Sequence, residues 1–250
     1  MPGTTAPVFL VGELPAGSSA VLTGDEARHA VTVRRLRAGE RLVLGDGAGS
    51  AAECVVASVQ PGREPSLHLT IEERWTEPAP RLRVTIAQAL AKGDRGELAV
   101  ELATEAGADA ILPWRAERSV ARWDEGPRGT KALSRWRDTA RSAAKQARRT
   151  WVPEVAEAIG TPELAAAAGK ADLTLVLEGT APRRLTELSL PGEGELLLVV
   201  GPEGGITDNE LETLTAAGAE PVRLGTTVLR TSTAAAVALG ALGALTARWS

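Results

Sequence analysis

Val199-Val200-Gly201-Pro202-Glu203-Gly204-Gly205-Ile206-Thr207 is the stretch on which the fold turns. It completes the wholly apolar run Leu196-Leu197-Leu198-Val199-Val200 and leads into a helix predicted over 208–217. A strand without polar alternation is buried on both faces, as in a mostly parallel sheet. In such sheets ligands bind beyond the carboxyl ends of the strands, where glycine lets the backbone come close to them. The stretch has neither the Gly-Lys-Ser/Thr of a Walker loop nor the GxGxxG spacing of a dinucleotide site, so it reads as a ligand loop of another kind. A plain strand-to-helix turn is the competing reading.

A second loop of the same kind is Leu224-Gly225-Thr226-Thr227-Val228-Leu229-Arg230-Thr231-Ser232-Thr233-Ala234. Gly225 falls just after a strand predicted over 221–224, and Thr231, Ser232 and Thr233 are candidate N-caps of an Ala-rich helix over 232–248. Neighbouring strand ends bring both loops to one sheet edge, where they clamp one small molecule through backbone groups. Such contacts suit an adenine and a ribose better than a triphosphate. Upstream, strands at 82–87, 110–113 and 173–177 alternate with helices near 95–105 and 130–149, which makes βαβ units. Before the stiff break Glu77-Pro78-Ala79-Pro80 the pattern is different. Short alternating segments at 8–11, 19–22, 41–44, 52–59 and 67–69 predict a small antiparallel barrel, with one helix over 23–36 capped by Thr23. The domains are therefore 1–76 and 77–250.

The net charge of −4 hides an asymmetry. Residues 114–151 hold 11 basic and 4 acidic side chains, whereas 152–250 hold 6 and 13. A basic stripe on an acidic body is the footprint of phosphate contacts, with a solvated helix face as the alternative. Cys54 is the only cysteine, which excludes an intrachain disulfide and a Cys-based zinc site. The N-terminus has no signal-peptide pattern, and the most apolar tract, 234–245, is too short to span a bilayer, so a cytoplasmic protein is expected.

In Gly201-Pro202-Glu203-Gly204-Gly205, Leu224-Gly225 and Leu229-Arg230-Thr231 the chain resembles the SPOUT methyltransferases, and among them the ribosomal RNA small-subunit methyltransferase E family. Lys92-Gly93-Asp94-Arg95, Glu97-Leu98, Glu105-Ala106-Gly107, Pro113, Glu117-Arg118-Ser119 and Gln146-Ala147-Arg148-Arg149 match further family blocks, as does the segment 29–40 beginning at His29. The resemblance implies a trefoil-knotted α/β domain preceded by a PUA-like RNA-binding barrel. It further implies a homodimer that uses S-adenosylmethionine to methylate N3 of one uridine in 16S ribosomal RNA of the small subunit. Carried over by position, the cofactor meets Leu177, Gly201, Leu224 and Leu229, with Glu203, Gly204, Ile206, Gly225, Val228 and Thr233 close by. Ser232, Lys145 and Pro7 depart from the pattern, where the family has Glu, Glu and Arg.

Methylating N3 requires loss of the imide proton or stabilisation of charge developing on O2 and O4. Arg230, beside the cofactor loop, is the candidate for that stabilisation, and an arginine paired at the surface is the competing reading. Arg34, Arg35, Arg37, Arg95, Arg118, Arg148 and Arg149 are the candidate RNA contacts. His29 reads as a packing residue. Trp114, Trp123, Trp136 and Trp151 flank the basic stripe as packing residues or base-stacking platforms. Two rival functions stay open: a non-catalytic RNA-binding or ribosome-assembly factor, and a 2'-O-ribose methyltransferase of the same superfamily.

Overall fold

The computed structural model describes residues 5–123 and 126–249, which fall into two units. One comprises residues up to Ala79 together with Ala144–Val152; the other comprises Pro80–Ala143 and everything from Pro153 onward.

In the first unit β1 (Val8–Leu10), β2 (Ser19–Leu22), β3 (Arg41–Gly45), β4 (Ser50–Gln60) and β5 (Ser66–Thr76) form one sheet ordered β1-β3-β4-β5-β2. Phe9, Leu42, Leu44, Val56, Leu67 and Leu69 close over Ala27 of α1 (Gly24–Arg28) and over Ala30. Each large side chain fully buried this way stabilises the fold by about 1.5–3 kcal/mol. Register shifts at Glu53/Cys54 and Val56/Ser58 bend β4, as bulges do. One expectation is corrected: β1 runs parallel to β3, with Val8 opposite Val43, so the sheet is mixed rather than antiparallel. A parallel pair needs a crossover rather than a hairpin, and the chain between β1 and β3 contains both β2 and α1. Among the described residues no ladder joins β1 to β2, so the ring of strand pairing is open there. The helix expected over 23–36 changes at His29 into a π-helical turn that ends at Val33, and Thr23 makes no side-chain cap.

The segment Ala144–Val152 is fastened to this unit by the side chains of Lys145, Thr150 and Trp151, the Thr150 hydroxyl donating to the Glu77 carboxylate. Lys145 Nζ lies 2.7 Å from Glu26 Oε2 and 5.6 Å from the Phe9 ring centroid. Trp151 donates to Glu77 O at 3.0 Å. Its ring fills the place a Cβ on Gly49 would need, 2.6 Å away, at a backbone φ of +100°.

The second unit contains β6 (Leu82–Ala89), β7 (Ala110–Trp114), β8 (Glu154–Val155), β9 (Leu173–Leu177), β10 (Gly194–Val200) and β11 (Glu220–Val222), ordered β11-β9-β10-β6-β7-β8. Every pairing is parallel, and Pro221 is confined to an edge strand, where a missing N–H is tolerated. The helices are α2 (Arg95–Glu105), α3 (Pro127–Gln146), α4 (Thr161–Ala168), α5 (Asp208–Ala216) and α6 (Thr231–Leu245). Leu239 and Leu242 of α6 pack with Val84, Ile86, Leu198 and Val200 on one sheet face. Leu164 of α4 and Leu214 of α5 pack with Val176, Leu197 and Val199 on the other. Leu133 and Trp136 of α3 join Val100 and Ile111 in a further cluster. The chain end is anchored by Arg248, whose guanidinium reaches Asp109 Oδ2 at 2.8 Å and Gly107 O at 2.6 Å. No helix among the described residues is long and apolar enough to cross a membrane.

Candidate active site

β9, β10 and β11 are neighbours in the all-parallel sheet, so the loops that leave their carboxyl ends emerge side by side. They enclose a cavity of about 520 Å³, within the size range of small-molecule sites. Leu177, Val200, Ile206 and Leu229 supply apolar lining, and Arg95 and Arg230 the cations. The loop after β10 doubles back tightly. Gly205, at φ +75°, donates to Pro202 O at 2.9 Å, and Ile206 folds against Gly201 so closely that a Cβ there would lie 2.7 Å from Ile206 Cγ1. Only glycine accepts both demands without displacing the chain.

This loop is held at both ends. Thr207 caps α5, its hydroxyl accepting from Glu210 N while Glu210 Oε2 accepts from Thr207 N at 3.1 Å, a reciprocal capping box. The buried Glu210 carboxylate also accepts from Glu117 N at 2.8 Å and from Thr161 Oγ1 at 3.1 Å. At the other end Thr231 Oγ1 donates to Gly201 O at 2.7 Å and accepts from Gln88 Nε2 at 3.0 Å. The ends of β6 and β10 and the start of α6 are thereby joined through one hydroxyl. This corrects the capping expectation: α6 begins at Thr231 with Arg230 as its N-cap, because the Thr231 hydroxyl is committed to the crosslink. Thr233 donates to Arg230 O at 3.2 Å, and Ser232 is buried.

Of the ten residues expected around a cofactor, the cavity wall contains Leu177, Gly201, Glu203, Ile206, Gly225, Val228 and Leu229. Leu224, Thr233 and Gly204 are not in it. Leu224 packs against the core beneath. Gly204 faces Arg118, whose Cβ would be 3.1 Å from an added methyl and whose Nη1 donates to Gly204 O at 3.1 Å. Sequence reading missed the third wall, Glu178-Gly179-Thr180, where Glu178 Oε1 accepts from Thr180 N at 3.2 Å. The rule that pointed to the other two loops, position at the carboxyl end of a parallel strand, applies equally to this one.

Arg230 lines the cavity, and no ion pair or side-chain hydrogen bond of its guanidinium occurs among the described residues. Glu203 Oε1, in contrast, accepts from Lys92 N at 3.1 Å and lies 3.8 Å from Arg95 Nη1, so Glu203 braces the turn that carries Arg95. Val228, 96% exposed, forms an open lip. Apolar walls, close-approaching glycines and a single unpaired guanidinium fit a largely neutral adenosyl group better than a polyphosphate, which takes several cations or a metal.

The remaining candidate RNA contacts separate by unit. Arg118 stands beside the cavity loop, whereas Arg34, Arg35, Arg37, Arg148 and Arg149 belong to the first unit. Among the described residues Arg35 and Arg148 are the non-glycine residues with positive φ, at 55° and 56°, a conformation that costs free energy and concentrates at functional sites. Trp114 and Trp136 are buried, the former donating to Thr161 Oγ1 at 3.2 Å. His29 makes an edge contact with Phe9 at 6.0 Å.

Comparison with known proteins agrees with this geometry. Residues 77–243 match the family model described as an RNA methyltransferase domain, and residues 22–63 match the RNA methyltransferase PUA domain. The ribosomal RNA small subunit methyltransferase E of Mycobacterium bovis is 55% identical over 98% of this chain and 94% of its own. The Bacillus subtilis protein of that name is 34% identical over 88% of each. Among solved structures, the small subunit methyltransferase E of Neisseria gonorrhoeae, bound to S-adenosyl methionine, superposes with a TM-score of 0.83 at 30% identity, covering 96% of this chain and 98% of that one. A Legionella pneumophila protein solved with the cofactor SAM gives 0.85 at 26% identity, covering 97% and 99%. By sequence along nearly its whole length and by fold, the chain belongs to the RNA methyltransferase family of the ribosomal RNA small subunit methyltransferases E.

Proposed function

We propose that this protein transfers a methyl group from S-adenosylmethionine to N3 of one uridine in 16S ribosomal RNA of the small ribosomal subunit. The observation that carries the reading is the cavity formed by three adjacent strand-end loops, with the guanidinium of Arg230 unpaired in its wall. When bound, S-adenosylmethionine supplies an electrophilic methyl, which bonds to N3 as its bond to sulfur breaks and the imide proton leaves for a base or solvent. The chain's own part is positional and electrostatic. The Gly201–Ile206 fold and the Thr231 crosslink fix the loops, the apolar walls exclude water, and Arg230 offsets the negative charge that spreads over the uracil oxygens. Arg95 and Arg118, and in the first unit Arg34, Arg35, Arg37, Arg148 and Arg149, are proposed to hold RNA phosphates.

The same reading covers assembly, topology and location. A homodimer is supported by the exposed apolar residues Leu98 of α2 and Val237 and Leu245 of α6, with Trp249 beyond it. Threading of the chain into a knot is supported by how the link between β11 and α6 is bonded. Arg223 N donates to Arg183 O in the β9–β10 connection, and Thr231 bonds to the end of β10. Domain limits of 1–76 and 77–250 and a cytoplasmic location belong to the same proposal. The test is calorimetric titration with S-adenosylmethionine, followed by methyl transfer to 30S subunits and mass mapping of the product. A methyl group on a ribose 2'-oxygen, or RNA binding without cofactor binding, overturns the reading.

A further inference from the structure

A second cavity of about 430 Å³ opens in the same unit, against α2 and α3. Its wall contains Arg122, Arg128, Lys131 and Arg135, with Glu97 as the carboxylate among its described lining residues. That carboxylate is already engaged, 3.0 Å from Arg135 Nε. The side chains of Arg122, Arg128 and Lys131 make no hydrogen bond or ion pair among the described residues. The contrast with the next turn of α3 is informative: Arg137 donates to Val155 O and Glu157 Oε1, both at 3.0 Å. Positions 128, 131 and 135 recur at helical spacing and share one face, so Arg128 and Lys131 line the cavity beside the Arg135–Glu97 pair.

The rest of the wall is aromatic. Trp123 meets Trp136 edge to face, with centroids 4.8 Å apart and planes at 77°. Trp136 is 2% exposed, and its indole N–H makes no hydrogen bond among the described residues. Gly96 brings α2 so close to this ring that a Cβ would lie 2.9 Å from Trp136 Cζ2. A partly exposed indole beside three cations unpaired among the described residues, with a donor in the wall, matches a ligand that joins a planar ring to an anion. A nucleotide of single-stranded RNA is such a ligand, since its base stacks on aromatic faces while its phosphate meets Arg and Lys.

The two cavities share the turn at the start of α2. Arg95 lines the first cavity, while Gly93, Gly96 and Glu97 line the second. We propose that the cavity between α2 and α3 is a subsite for a nucleotide flanking the methylated one, with Trp123 stacking on its base and Arg122, Arg128 and Lys131 holding its phosphates. This rests on the RNA-methyltransferase reading above. It gives the second cavity a specificity role, because a strand whose flanking nucleotide cannot splay into it presents its target poorly to the first.

The experiment measures affinity for a short single-stranded fragment of the target rRNA, by fluorescence anisotropy across a salt series. It compares the wild type, the double variant Arg128→Ala/Lys131→Ala, Trp123→Ala and Trp123→Phe, with S-adenosylmethionine binding to each measured in parallel. The double variant is expected to flatten the slope of log affinity against log salt by about 2, one for each phosphate no longer neutralised. Trp123→Ala is expected to weaken binding about ten-fold, the scale of removing one base stack, and Trp123→Phe to recover most of it. Cofactor affinity stays unchanged in all three. Unaltered RNA affinity and salt slope, in variants that still bind cofactor, overturn the subsite and leave the methyltransferase reading standing. A wild type that binds no S-adenosylmethionine and methylates no RNA sinks both.

Discussion

Thr231 and Gly201 are joined by a 2.7 Å hydrogen bond from the threonine hydroxyl to the glycine carbonyl, and that hydroxyl also receives the amide of buried Gln88. Replacing Thr231 with valine keeps the shape and removes both bonds, leaving Gly201 O and Gln88 Nε2 without that partner. Gln88 Oε1 is already unpartnered and buried, so little slack remains. We expect a stability loss of about 1–3 kcal/mol and at least a ten-fold loss of S-adenosylmethionine affinity. Denaturant unfolding and calorimetry read the two effects, and unchanged cofactor affinity in Thr231→Val would show that the crosslink does not set the loop.

The glycines of the β10 loop do different jobs. An alanine methyl at Gly201 would collide with Ile206 inside the fold of the loop, whereas one at Gly204 would press on Arg118 outside it. Gly201→Ala should therefore abolish cofactor binding, while Gly204→Ala should leave it within about three-fold and displace Arg118, weakening RNA binding instead. Equal effects of the two substitutions on cofactor affinity refute the assignment.

Arg230→Ala should lower kcat for methyl transfer by about 10²–10³, the scale of losing one group that stabilises developing charge, while calorimetry finds cofactor affinity little changed. Arg230→Lys should restore part of the rate. If Arg230 only pairs at the surface, kcat will not move.

Burial pushes the Cys54 thiol up to about 11, with the Leu44 backbone and Arg74 opposing. A thiol harder to ionise when folded favours the folded state below its unfolded pKa near 9, and that contribution is lost as pH rises from about 9 to 11. Unfolding midpoints measured across that range should fall less steeply in Cys54→Ala than in the wild type. Alkylation at pH 8 should be slow until denaturant is added.

The alternation of apolar strands with helices made most of the second unit readable. The expected strand at 173–177 and helix at 95–105 coincide with β9 and α2. α4 escaped notice because Ala165 to Ala168 offers no contrast of face in an alanine run, and the two-residue β8 is too short to carry a period. The parallel pairing of β1 with β3 is set between strands far apart in sequence, and local alternation does not encode partners. The cavity itself followed from strand ends and glycines. The outward turn of Gly204 and the crosslink through Thr231 did not, since each depends on what the folded chain brings opposite: Arg118 in one case, Gln88 in the other.

Lys145 stands where related sequences were expected to carry Glu, and the partner it finds, Glu26, lies 119 positions earlier in the chain. A ribosome making this protein has therefore released the strands of the first unit long before Ala144–Val152, which completes it, is synthesised. Until then Gly49 lacks the Trp151 ring and Glu26 lacks its counter-charge. The order of synthesis leaves the contacts of the amino-terminal unit incomplete until Ala144–Val152 has been made, so a fragment ending at Ala79 lacks the Lys145 counter-charge and the Trp151 ring that the full chain supplies.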